Sequence, residues 1–245
     1  MADTVLITGG TSGIGLALAK RYQKDGNTVL IVGRNTEKLQ KTVEENPGLL
    51  PILADVSLEE DRIRLFETVA RDYPEVNIVI NNAGIQQRTD LMQLDWAFWK
   101  KEIDTNFDAP IHLCGLFAPF LAGKPHAVLV NVSSGLAFRP PVHVPIYGAT
   151  KAGLHSFTYT LREQLQPHGI QVIEIIPPAV NTNLGGPGVH ARAADLDAFA
   201  DSVYQDLLQG KEEIGYLYTQ QMAGKTRREL EAGWGGRSPE RSKAD

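Results

Sequence analysis

Thr4-Val5-Leu6-Ile7-Thr8-Gly9-Gly10-Thr11-Ser12-Gly13-Ile14-Gly15 is the stretch that decides the fold. A short β-prone run enters a glycine-rich turn, and the turn opens directly into an amphipathic helical pattern. Glycine lets a backbone turn sharply and approach a pyrophosphate closely, while the helix N-terminus offers free N–H groups and positive partial charge. Gly9, Thr11, Ser12, Gly13, Ile14 and Gly15 are therefore candidate dinucleotide contacts. A plain strand-to-helix turn could use the same glycines, but a strand before and a helix after is the context a dinucleotide loop requires.

Outward from that turn, short apolar runs alternate with longer helical patterns. Strands are predicted at Val5 to Thr8, Thr28 to Val32, Leu50 to Ala54, Ile78 to Ile80, Ala127 to Val132, Gln171 to Ile176 and Ile214 to Tyr218. They are rich in Val, Ile and Leu without clean polar alternation, as strands buried on both faces should be. Ser57 with Glu60 three residues on reads as a capping box for one of the crossover helices. The expectation is an α/β fold: one Rossmann-like domain over residues 1–245, a doubly wound, mostly parallel seven-stranded sheet with helices on both faces. Leu184 to Arg192 is Gly-rich and poorly periodic, and residues 183–210 are expected to form the substrate loop and lid, with Gly185, Gly186 and Gly188 as flexible points. Gly233 to Asp245 is polar and is expected to be a disordered tail.

Bulk properties narrow the function classes. Of 245 residues, 42% are hydrophobic and 22% charged, and the net charge of -5 argues against a nucleic-acid surface. A single cysteine, Cys114, excludes an intramolecular disulfide. The longest apolar stretch, Ala109 to Gly123, is short for a bilayer and contains His112. With the first strand starting almost at once, no signal peptide is expected and a cytoplasmic location is. The six histidines form neither H-x-H nor H-E-x-x-H, so no metal site is expected, and no G-x-S-x-G elbow supports a serine hydrolase.

Which dinucleotide binds is a question of charge. NAD-binding folds usually end the second strand with a carboxylate for the ribose 2′-hydroxyl. Here the sequence is Val32-Gly33-Arg34-Asn35, with no acid and a guanidinium suited to a 2′-phosphate. A solvated surface arginine is the alternative, although a cation at a helix start opposes the dipole. The reading favours NADP(H). Asp55 could accept from the adenine amino group, and Asn82 in Asn81-Asn82-Ala83-Gly84 falls where a ribose would pass, though both residue types also suit turns.

Tyr147 and Lys151 are one helical turn apart, and Ser134 ends the strand run Asn131-Val132-Ser133-Ser134 thirteen residues upstream of Tyr147. A cation beside a phenol favours the phenolate, so Lys151 could bring the Tyr147 pKa toward the working range. Ser134 would hydrogen-bond a substrate oxygen as charge develops on it. Trp96 and Trp99 are read as helix packing.

With these residues assembled, the chain resembles the short-chain dehydrogenase/reductase family over nearly its whole length. The resemblance rests on T-G-x-x-x-G-x-G at Thr8 to Gly15, N-N-A-G at Asn81 to Gly84, and Ser134, Tyr147 and Lys151. It implies that Asn106 is the fourth catalytic residue, that Asn82, Ala83 and Gly84 contact the cofactor, and that Lys151 also touches its ribose. It also implies that Pro177, Val180 and Thr182 lie on the nicotinamide side, with Thr182 on the carboxamide. The family's Pro-Gly pair is Pro177-Pro178 here, which together with Gly10 to Lys20 resembles its DltE-type branch.

The expected activity is reversible hydride transfer between NADP(H) and a ketone/secondary-alcohol pair. Leu136, Ala137, Phe138, Val142, Val144, Ala179 and Ile85 to Gln87 join Ser134 and Tyr147 as candidate pocket walls; they are mostly apolar and face no Arg or Lys cluster, which suits an uncharged lipophilic ketone. An NADP-dependent epimerase or dehydratase, or a dinucleotide-dependent redox sensor, are the alternatives. The apolar helical stretches Phe107 to Leu121 and Ala152 to Leu165 could pair across a symmetric interface, giving a homodimer or homotetramer.

Overall fold

The computed structural model describes residues 2–222, 224–225 and 229–230; the tail expected at Gly233 to Asp245 lies outside the described residues. Seven strands, β1 (Thr4–Thr8), β2 (Thr28–Gly33), β3 (Leu50–Leu53), β4 (Ile78–Asn81), β5 (Val128–Val132), β6 (Gln171–Ile176) and β7 (Glu213–Gly215), form one sheet. Their order is β3-β2-β1-β4-β5-β6-β7, and every adjacent pair is parallel. The chain starts at the centre, winds out to β3, then crosses back to β4 and winds to the other edge. Loops leaving β1 and β4 therefore diverge at the carboxyl ends of the strands, which opens a crevice there.

Successive strand residues point to opposite faces, and here both faces are covered. Val5, Ile7, Val29 and Ile31 pack with Leu18 and Tyr22 of α1 (Gly13–Lys24) and Phe199 and Val203 of α7 (Leu196–Leu208). Leu6, Leu30, Val79 and Leu129 pack with Leu65 and Val69 of α3 (Glu59–Asp72), Leu113 and Phe117 of α5 (Ala109–Leu121) and Leu161 of α6 (Pro145–Leu165). Burying each such side chain contributes about 1.5–3 kcal/mol, which is why the strands carry so few polar residues. Two further helices, α2 (Thr36–Glu45) and α4 (Trp96–Ile103), flank the crevice.

Two local expectations are corrected. The last strand ends at Gly215, because Leu217 adopts a left-handed φ of 53° and a 3-10 turn follows over Leu217–Gln221. Thr219 ties that turn to the sheet by donating to the Ile176 carbonyl at 2.6 Å. No capping box forms at Ser57: α3 starts at Glu59 with Leu58 at its cap, and the Ser57 hydroxyl donates instead to the Asp55 carboxylate at 2.7 Å. Asp55 also accepts from the Ser57 N–H, closing a local turn that leaves Leu58, not Ser57, at the cap. Trp99 is buried as expected, whereas Trp96 is exposed. No helix among the described residues is long and apolar enough to cross a membrane.

Candidate active site

A cleft of about 950 Å³ opens along the carboxyl ends of the central strands. Its floor is the turn between β1 and α1. Gly9 and Gly13 have φ of 67° and 55°, and a Cβ on Gly9 would come within 2.9 Å of the Ala83 Cα. Across from Gly13 stands Thr182, whose Cγ2 would lie 3.4 Å from an added Cβ. The loop is thus a bare backbone cradle, of the kind a pyrophosphate needs. Gly15 lies beneath the turn, where a Cβ would strike the Asn82 side chain at 2.4 Å. Asn82 has a structural task as well: its amide donates to the Thr8 carbonyl at 2.9 Å and the Gly9 carbonyl at 3.3 Å. Thr8 Oγ1 in turn accepts from the Asn82 and Ala83 N–H groups, locking the ends of β1 and β4 together.

At the end of the cleft beside β2, Arg34 extends into solvent with its guanidinium 3.8 Å from Asp55. The other Asp55 oxygen accepts from both the Ser57 amide and hydroxyl, so its carboxylate already anchors a turn. A second cation joins Arg34. Lys38, one turn into α2, lines the cleft and donates to the Ser12 hydroxyl at 2.7 Å. Sequence reading passed over it, although the dipole argument used for Arg34 applies equally to a lysine in the first turn of a helix.

The opposite end is built from buried side chains. Ser134 caps a 3-10 turn over Gly135–Ala137, its Oγ accepting from the Leu136 N–H at 3.1 Å. Pro145 at the start of α6 presents Tyr147 and Lys151 on one face, both buried. Lys151 Nζ donates to the Val132 carbonyl at 2.7 Å and lies 5.8 Å from the Tyr147 ring centroid. Burial pushes the Tyr147 phenol up to about 12; Ser134 pulls the other way and Glu102 adds to the rise. Burial also brings Lys151 down to about 8, against the opposing pull of Glu102 and Glu174. Desolvation, rather than mutual attraction, is thus the largest influence on both groups.

Asn106 sits one layer behind, in a π-turn over Asp104–Asp108. Its Oδ1 accepts from the Ile85 N–H at 2.9 Å and its Nδ2 donates to the Ile85 carbonyl at 2.8 Å. Such single-turn widenings of a helix re-aim a side chain, here toward the segment after β4. A Cβ on Gly84 would lie 3.4 Å from Asn106 Oδ1 and 3.7 Å from Lys151 Nζ, so both groups converge on that glycine.

Of the expected pocket walls, Ile85, Gln86, Gln87, Leu136 and Ala179 line the cleft together with Ser134 and Tyr147. Phe138 turns away and packs on His155, ring centroids 4.6 Å apart; Val144 is buried at the start of α6, and Val142 points to solvent. On the nicotinamide side, Pro177, Val180 and Thr182 all border the cleft, and the Pro177 carbonyl accepts from the Gly135 N–H at 2.9 Å. Phe98, Lys101, Thr105 and Tyr218 also border it, none of them anticipated. Leu184 to Gly186 and His190 cover one side, with His190 Nε2 3.3 Å from Gln86 Oε1. Among the described residues no group of three or more His, Cys, Asp or Glu could hold a metal.

Comparisons with known proteins agree with this architecture. The family model described as short chain dehydrogenase matches residues 3–192. A Bacillus subtilis (strain 168) protein called uncharacterized oxidoreductase DltE is 41% identical over 219 residues, covering 86% of this chain and 87% of that one. A Sphingobium yanoikuyae short-chain dehydrogenase solved in complex with NADPH is 25% identical, with a TM-score of 0.81 over 98% of this chain and 99% of that one. The bulky-bulky ketone specific alcohol dehydrogenase of Comamonas testosteroni is 26% identical, with a TM-score of 0.78 over 98% of each chain. Shared sequence and shared fold lead to one conclusion: this oxidoreductase belongs to the short-chain dehydrogenase/reductase family.

Proposed function

We propose that the protein is an NADP(H)-dependent carbonyl reductase that interconverts uncharged lipophilic ketones and secondary alcohols. The observation that carries the cofactor half is the pairing of Arg34 and Lys38 at the cleft end beside β2, where the one nearby carboxylate, Asp55, is bonded through one oxygen to Ser57 and lies 3.8 Å from Arg34 through the other. Two cations there would hold a 2′-phosphate, while Gly9 to Gly13 would cradle the pyrophosphate and Thr182 would face the nicotinamide. When bound, the dihydronicotinamide supplies the hydride.

The chain's own residues do the rest. Ser134 holds the substrate oxygen and donates to it as negative charge develops. Tyr147, protonated throughout the neutral range by its burial, delivers the proton to that oxygen. Lys151 offsets the charge left on the phenol, and Asn106 keeps Ile85 in place as the cleft wall. Ile85, Leu136, Ala179, Phe98 and Leu184 supply apolar walls on the substrate side, beside the polar Gln86, Gln87 and His190, with the exposed Lys101 at its margin. The ketone substrate named for the Comamonas testosteroni relative supports the same substrate class.

The reading also includes a cytoplasmic homodimer or homotetramer. In support of association, α5 and α6 leave the small residues Gly115, Ser156 and Thr160 exposed, where another copy could approach closely; sedimentation velocity measures it directly. The activity is tested by following NADPH and NADH oxidation against aryl ketones, aliphatic ketones, diketones and keto esters. Turnover with NADPH and weak turnover with NADH is expected. Equal use of both cofactors would remove the role given to Arg34 and Lys38, and silence with bound NADPH would remove the reductase.

A further inference from the structure

Glu102 is a carboxylate with 0% exposure at the end of α4. Its Oε1 accepts from the Gln87 N–H at 3.0 Å; its Oε2 is buried with no hydrogen-bond partner. Four residues on, Asn106 accepts from the Ile85 N–H. The two side chains thus take alternate amides of the segment after Gly84, leaving Gln86 to reach His190 of the covering loop. Packing and clamping alone do not call for an acid here. A glutamine would accept from Gln87 equally well and avoid burying a charge, which costs several kcal/mol. What only a carboxylate supplies is negative charge, and because α4 packs against α6, a charge buried on Glu102 acts toward Tyr147 and Lys151, raising the pKa of both.

Building on the proton-transfer roles given above, we infer that Glu102 is a positioning residue: a buried counter-charge that, with Glu174, holds Lys151 as a cation beside Tyr147, and one of two clamps on the cleft wall. Glu174 on β6 is a second buried carboxylate that acts on Lys151: one of its oxygens is bonded to His155 at 2.8 Å, and the other is buried without a hydrogen-bond partner. On Glu102's own helix, Lys100 pairs with Asp104 and Asp108, and Lys101 is exposed at the cleft margin. Burial raises the Glu102 carboxyl to about 7, with Lys151 opposing the rise, so its charge turns on in the working range.

The test is a pH titration of the Tyr147 ¹³Cζ resonance in cofactor-free protein, identified by its loss in Tyr147→Phe. Removing a negative charge lowers the pKa of every neighbouring group, so in Glu102→Gln the titration steps sensed by Tyr147 move at least about half a unit toward lower pH. The basic limb of kcat for NADPH-dependent reduction moves the same way, while the ketone KM stays within about twofold. Glu102→Asp, which keeps the charge, holds the wild-type titration; it also decides the matter if Glu102→Gln does not fold. The inference is overturned if Glu102→Gln titrates like the wild type, or if Glu102→Asp shifts to lower pH. Because the resonance is read without substrate or cofactor, a failure of the reductase assignment leaves this test intact.

Discussion

Lys38 and Lys151 occupy opposite ends of one cleft. Lys38 lies in the open with its ammonium on the Ser12 hydroxyl; Lys151 is 4% exposed with its ammonium on the Val132 carbonyl. In water two unit charges 4 Å apart interact by about 1 kcal/mol, and salt weakens that further. An open lysine therefore suits recognition of a charged ligand without its own chemistry changing. Burial instead brings Lys151 down to about 8 and lets Glu102 and Glu174 act on it through a poor dielectric. On the proposed reading, the same residue type would select a ligand at one end and support proton transfer at the other, and the difference is solvent.

Predictions follow that contrast, beginning where the effect is largest. Lys151→Met should reduce kcat at least about 100-fold, the usual scale of a lost acid–base assembly, with NADPH still bound; turnover within tenfold of wild type would break the contrast. At the open end, Arg34→Ala and Lys38→Ala should each raise the NADPH Kd about tenfold, or about 1.4 kcal/mol, leaving NADH unchanged. Raising salt should weaken wild-type NADPH binding and have less effect in either variant, measured by fluorescence titration.

The buried end should respond to pH instead. Tyr147, held protonated up to about 12, remains a donor for ketone reduction, so the reductive kcat should be level below about 8 and decline as Lys151 loses its charge. Alcohol oxidation needs the phenolate and should rise with pH over the same range. The smallest effect concerns stability. The folded pKa of Glu102 is raised from 4.5 to about 7, so its stabilising contribution is complete below 4.5 and is lost as pH rises through about 7. The melting-temperature difference between Glu102→Gln and wild type should therefore grow in favour of the variant between pH 5 and 8, read by thermal denaturation.

Legibility in the sequence divides along similar lines. The strands could be read because residues such as Ile7 and Leu6 serve opposite covered faces, which removes polar alternation. The glycine turn and the Ser134, Tyr147, Lys151 spacing could be read because backbone geometry and one helical turn fix them. Glu102 could not: in Lys100-Lys101-Glu102-Ile103-Asp104 it resembles a solvated charge, and its burial follows from α4 packing near α6, which no local pattern encodes. Phe138 was misplaced for the same reason, since its partner His155 comes from another element. Lys38 was legible but not used.

The most direct measurement is Tyr147→Phe, assayed in parallel for NADPH binding and for ketone turnover. Phenylalanine keeps the ring in its buried place and removes only the proton donor. Binding within about twofold of wild type, with kcat lower by about 100-fold or more, is the expected result. Wild-type turnover with normal binding would contradict the account, since the buried phenol would then carry no proton to the substrate.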